Sequence, residues 1–274
     1  FEGKTDSVNI KPISPVSKDF KYIVSKDPKK DTLNLWYSPK QKDSLVFTVA
    51  KQKKIDTFKV RIKEMKNDSL QIDNLFDLPM YKDFGFRSNI PIVKTDSTKL
   101  KVFAGKDSTA VAVPFKTQLA PNRLEYYVLF DKKNDETYRI EALPNALTDF
   151  FGHTNDTLKV NLHTKKLEEV AIFKLHLNTD EKTLQYPVIL QLTNEKATEV
   201  VRELYVEKPQ EQYLFENVNP SKFRLRLIED KNANREWDTG SFLEQRQPER
   251  VSYFPQLIEL RANWEVEETW SINE

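Results

Sequence analysis

"NDTLKVNL", Asn155–Leu162, is the stretch from which the fold is read. The Asp156 side chain can accept a backbone N–H two residues on and so close a turn. Beyond it, apolar Leu158, Val160 and Leu162 alternate with polar Lys159 and Asn161, the period of a strand with one buried and one wet face. The same opening, Asp before Ser or Thr and then alternation, recurs at Asp6, Asp31, Asp43, Asp56, Asp68, Asp96 and Asp107. Leu33, Leu35 and Tyr37 then share one face, and Leu45, Phe47 and Val49 oppose Val46 and Thr48. From Asp31 to Asp68 the openings fall about a dozen residues apart, the spacing of strand plus turn in an all-β sandwich. Turn chemistry explains all these pairs at once, whereas phosphorylation or metal ligation would need a separate reason at each.

Helix signals are few. "LPNALTDFFG", Leu143–Gly152, is expected to hold one short helical turn closed by Gly152. "DNLFDLPMYKDFGF", Asp73–Phe86, reads as an irregular, aromatic-rich connection. Aromatic residues on loops lack the parity that marks a core face. Met80, Tyr81, Phe84 and Phe86 are therefore a candidate protein-contact patch, with a wedge between domains as the alternative.

The chain has 274 residues, which implies two or three domains. Lys plus Arg number 43 and Asp plus Glu 42, so no basic excess exists to displace counterions from nucleic acid or to bind an anionic membrane. Cysteine is absent, which excludes disulfides, thiolate metal sites and cysteine nucleophiles. No apolar run is long enough for a membrane span. The sequence opens "FEGKTDS" without Met, as expected of a processed product or a piece of something longer. Five glycines give neither a dinucleotide fingerprint nor a P-loop.

Inorganic chemistry is hinted at once, in "EDKNANREWDTG", Glu229–Gly240. Asp230, Asn232 and Asn234 occupy the first, third and fifth positions of an EF-hand-like loop. Glu236 would offer its carbonyl at the seventh and Asp238 its carboxylate at the ninth, an oxygen set suited to calcium. Arg235 replaces the customary glycine, and Ser241 replaces the bidentate acid. Calcium affinity is therefore expected at the weak end, on the order of 0.1–1 mM. The alternative is a network of Asx turns in which Trp237 plugs the loop onto the sandwich.

No catalytic set is legible. His153, His163 and His176 have no second histidine at ligand spacing, and no nucleophile elbow occurs. Trp264, Val266, Trp270 and Ile272 share one face of an alternating strand and are expected in a core. Exposed tryptophans, Trp36 and Trp237 included, would instead make a sugar platform.

"DETYRIEALPNALTDFFGHTNDTLKVNLHT", Asp135–Thr164, resembles the end of a bacterial immunoglobulin-like domain of S-layer and exported proteins. The features that carry this are Thr137–Tyr138, Asp149 before Phe151–Gly152, and the strand Leu158 to Leu162. "YLFENVNPSKFRLRLIEDKNANREWDTG", Tyr213–Gly240, resembles a transthyretin-like or carboxypeptidase-regulatory-like sandwich, with Pro220 and Phe223 in place and Ser221 where glycine is usual. Together with "RQPERVSYFPQLIELRANWEVEETWSI", Arg246–Ile272, the order of parts resembles the C-terminal half of a Bacteroidota outer-membrane lipoprotein family. That resemblance implies export, a lipid anchor on a cysteine outside this chain, and residence at the outer membrane, on its periplasmic face or at the cell surface. It implies no catalysis.

The expectation is an all-β chain of tandem β-sandwiches, immunoglobulin-like followed by transthyretin-like. Residues 1–78 form an N-terminal β unit, 79–165 the first sandwich and 166–274 the second. The expected role is non-enzymatic scaffolding through protein partners, in outer-membrane protein assembly or secretion, without nucleic acid. Glycan binding and a hydrolase with an acid pair are the alternatives.

Overall fold

The computed structural model describes residues 8–16, 18–27, 32–38, 44–51, 54–61, 69–75, 79–106, 109–179, 184–240 and 245–272. It is all-β, with tandem β-sandwiches, and its residues divide after Thr164 into two compact units.

The first unit opens with β1 (Val8–Pro12), β2 (Lys21–Lys26), β3 (Leu33–Ser38), β4 (Ser44–Lys51) and β5 (Lys54–Arg61). β1, β4 and β5 form an antiparallel sheet in that order, and β2 pairs with β3. Alternation along β4 buries Leu45 and Val49 on one face, where Phe47 also stacks on Phe58 of β5 at 5.9 Å between rings. Trp36 of β3 donates its ring N–H to buried Ser25 of β2 and meets Phe151 edge-on.

The same unit continues with β6 (Ile72–Asn74), β7 (Phe84–Ser88), β8 (Ile92–Thr95), β9 (Leu100–Ala104), β10 (Val111–Ala112), β11 (Lys116–Leu119), β12 (Glu125–Leu129), β13 (Thr137–Ala142), β14 (Leu147–Asp149) and β15 (Leu158–His163). Two four-stranded sheets, β10-β9-β13-β15 and β11-β12-β7-β6, close over one core. Phe84, Phe86, Tyr126 and Val128 enter it from one sheet, and Leu100, Val102, Tyr138 and Ile140 from the other. The expected boundary after residue 78 does not hold. β6 lies before it yet pairs with β7, and Leu70 and Ile72 already pack on this core.

The second unit holds β16 (Ala171–Asn178), β17 (Val188–Asn194), β18 (Val200–Val206), β19 (Tyr213–Val218), β20 (Ser221–Glu229), β21 (Val251–Tyr253), β22 (Ile258–Leu260) and β23 (Glu265–Ser271). One sheet runs β19-β16-β23, and the other runs β18-β17-β20, with β21 and β22 both pairing along β20. Phe173, Leu175, Phe215 and Trp270 from the first sheet meet Val188, Leu190, Leu225 and Leu227 from the second. β23 joins β16 in parallel, so the C-terminal strand arrives by a crossover rather than a hairpin.

Three local expectations change. Leu147–Asp149 is strand β14, not a helical turn, and Gly152 follows it at φ 92°. The buried Asp149 carboxylate accepts the amides of Phe151 and His153 at 2.8 Å each, so a capped turn stands where helix was expected. Asp56 lies inside β5, opposite Val49, and opens no strand. Asp96 does what its motif predicts: its carboxylate accepts the Thr98 amide two residues on. Asp6, Asp31, Asp43, Asp68 and Asp107 fall outside the described residues.

Trp264 is the third. It sits half-exposed in the turn before β23, after Asn263 at φ 59°, under the Arg261 guanidinium, while Trp270 and Ile272 are in the core as expected.

Candidate functional site

Two places were singled out from sequence, and the structure treats them differently. The aromatic patch is largely interior. Phe84 and Phe86 are 1% and 2% exposed, and their rings meet edge-on at 4.9 Å. They are two residues apart in β7, so both point into the sandwich, and neither can meet a partner. Met80 and Tyr81 are half-buried in the segment before β7. Lys132 ties that segment down by donating to the carbonyls of Pro79, at 2.9 Å, and Lys82. Burial depresses the Lys132 ammonium below its ordinary value, and the Asp83 carboxylate only partly opposes this.

The Asp230 loop leaves β20 and returns to β21. Its geometry is built on two buried acids. Asp230 is fully buried and accepts the amides of Asn234, at 3.1 Å, and Arg235, at 2.8 Å. Asp238 is buried, and its Oδ2 accepts both side-chain amides, from Asn232 at 2.7 Å and Asn234 at 2.6 Å. The Asn232 and Asn234 oxygens accept backbone N–H groups from Asn234 and Glu236. The turn is completed with Ala233 and Arg235 in the left-handed region, φ 56° and 64°, so the arginine in the glycine position is accommodated.

These are the contacts of an Asx-turn network, with loop oxygens holding loop N–H groups. Among the described residues no group of three or more His, Cys, Asp or Glu is placed to hold a metal ion. Ser241 lies outside them. Trp237 is 44% exposed and does not plug the loop, although its ring N–H donates to the Glu249 carbonyl at 3.2 Å.

Sequence reasoning missed Glu249 and Tyr205. The Glu249 carboxylate accepts the amides of Lys231, at 3.0 Å, and Asp238, at 2.9 Å, and so clasps both ends of the loop. No local signal marks it, because it acts 18 residues from Lys231 and only the return into β21 brings it there. Tyr205 of β18 lies under the Arg235 guanidinium at 4.5 Å; burial, then the Asp230 charge, pushes its phenol up.

Next to the loop, Glu229 is buried with Oε1 lacking a hydrogen-bond donor, 3.6 Å from the half-exposed Arg250 guanidinium. Burial raises its carboxyl above the usual range, against the pull of Arg250 and Lys231. A raised folded-state value means the native protein holds a proton that the unfolded chain has lost. Glu229 thus favours folding below its unfolded value of 4.5, and this contribution is lost as pH rises through the raised one. Glu229→Gln is therefore expected to melt a few degrees above the wild type at pH 7. The gap should close by pH 4, as checked by thermal unfolding across that range.

No family model matches the chain, and no curated protein matches it. Among solved structures it is similar to the TIE protein of Bacillus anthracis, at 11% identity and TM-score 0.23, over 94% of this chain and 41% of that one. It is also similar to the major pilin subunit of Bacillus cereus, at 10% identity and TM-score 0.24, over 92% of this chain and 90% of that one. The chain thus spans 41% of the length of the first of these relatives.

Proposed function

We propose that this chain is a non-enzymatic exported scaffold that acts by protein–protein contact at a bacterial outer membrane, as its resemblance to a Bacteroidota outer-membrane lipoprotein family implies. The observation that supports the contact reading is strand β5. Every residue of it is exposed, including Ile55 at 67%, Phe58 at 45% and Val60 at 47%. Among the described residues no strand pairs with its outer edge. An eight-residue edge presents a row of backbone donors and acceptors, and large apolar side chains beside it add area that water solvates poorly. Proteins use such edges to accept an extended segment from a partner, with main-chain bonds giving affinity and alternate side chains giving specificity.

The contact surface in this reading is therefore β5, in place of the aromatic patch at Phe84 and Phe86. A photo-crosslinking side chain at Ile55 or Phe58 is expected to capture a discrete protein partner in native membranes. The same group at Val111, equally exposed on β10, should not. Identical or absent products at both places would remove the support.

A further inference from the structure

Resting on that reading, we propose that the strand received by β5 is β23 of a second copy of this chain, giving a head-to-tail assembly. β5 carries Lys54, Lys59 and Arg61 against Asp56 alone, a net charge of +2. β23 is the edge of its own sheet, beyond β16, and carries Glu265, Glu267 and Glu268 with no cation, a net charge of −3. Among the described residues no strand pairs with its outer side. Pairing β5 with β5, or β23 with β23, would set like charges side by side; pairing one with the other nearly neutralises both.

The match extends to register. Set antiparallel, the strands align Arg61 with Glu265, Val60 with Val266, Lys59 with Glu267, Phe58 with Glu268, Thr57 with Thr269, Asp56 with Trp270 and Ile55 with Ser271. Both charge pairs fall on one face, the outward face of the β23 sheet, where Glu265 and Glu267 are exposed. On the other face Val60 meets Val266, and Phe58, opposite Glu268, lies diagonal to Val266 and Trp270, so the side of the β5 sheet that bears Phe58 and Val60 faces the same way as the core side of the β23 sheet. A slip by one residue would put Lys59 opposite Glu268 or Val266 and set the outward face of one sheet against the inward face of the other. Within one chain Glu265 is already met by Lys174, and Glu267 by His176 at 2.9 Å. The incoming Arg61 and Lys59 would extend those contacts into a row across three strands.

Two different surfaces make a heterologous contact, which propagates into rings or open chains instead of stopping at a dimer. Pairing of seven residues is small beside a standard interface, so the association is weak and salt-sensitive.

Sedimentation velocity from micromolar to near-millimolar protein tests this. At low salt the average mass should rise with concentration, and 0.5 M salt should reverse it. Lys59→Glu and Glu267→Lys should each weaken association by about tenfold, and the double variant should regain most of it. Both positions are exposed, and unchanged melting of each variant separates loss of contact from loss of fold. A monomer throughout at low salt, or a double variant no better than the singles, overturns the proposal. If Ile55 and Phe58 still capture a different protein in membranes, β5 remains a contact surface and only the identity of its partner is wrong. If they capture nothing, both readings fall.

Discussion

Phe84→Ala is expected to cost the first unit about 3–5 kcal/mol, enough to unfold the sandwich formed by the β10-β9-β13-β15 and β11-β12-β7-β6 sheets or leave it marginal near 37 °C. The residue is essentially unexposed, crosses to Val128 on β12, and meets Phe86 ring to ring in the core shared by both sheets. Truncation leaves a cavity bounded by two sheets that cannot collapse without breaking ladder bonds, which places the cost at the upper end of the range. Tyr81→Ala, half-buried in the preceding segment, should cost only about 1 kcal/mol. Urea unfolding followed by near-ultraviolet circular dichroism separates the two. A Phe84→Ala protein that melts like the wild type but loses a binding partner would restore the aromatic patch as a contact surface.

That patch shows where sequence stops being legible. Alternation found β13 and β15 because Tyr138, Ile140 and Ala142 face one way and their neighbours the other. In β7 the same parity exists at Phe84 and Phe86, but Gly85 between them reads as a loop residue. The glycine is there because a Cβ would lie 2.5 Å from Leu75 Cδ1 and 3.0 Å from the Tyr127 ring, a close approach between neighbouring strands. Only the tertiary arrangement explains it.

Asp149 failed in the opposite sense. A short Leu-Thr-Asp strand ending in a capped turn has the composition of a helix terminus, and its pairing with β8 is a long-range fact. The edge charges of β5 and β23 were in the sequence from the start. Their meaning depended on knowing which strands have a neighbour on one side only.

The Asp230 loop is where the second large effect is expected. Asp230→Ala should destabilise the second unit by about 2–4 kcal/mol, because the amides of Asn234 and Arg235 both lose a buried, charged acceptor. The left-handed residues Ala233 and Arg235 are held in place by these bonds, so the loop should open as a unit and expose the Glu249 clasp. Asp230→Asn keeps an acceptor for one amide and should recover about half the loss.

Thermal unfolding of both variants, with and without 10 mM calcium, distinguishes the two readings of the loop. An Asx-turn network predicts the losses above and no response of the wild type to the ion. A bound cation adds mass action: with a dissociation constant of about 1 mM the wild type would gain roughly 1.4 kcal/mol, several degrees in Tm, and Asp230→Asn would gain little. The present geometry favours the first outcome, since the side-chain oxygens of Asp230, Asn232 and Asn234 and Oδ2 of Asp238 now receive N–H groups. Exchanging those bonds for metal ligation would require Asn232 and Asn234 to rotate their amides away from Asp238. A calcium response that disappears in Asp230→Asn would show that the rotation occurs and that the loop is a cation site after all.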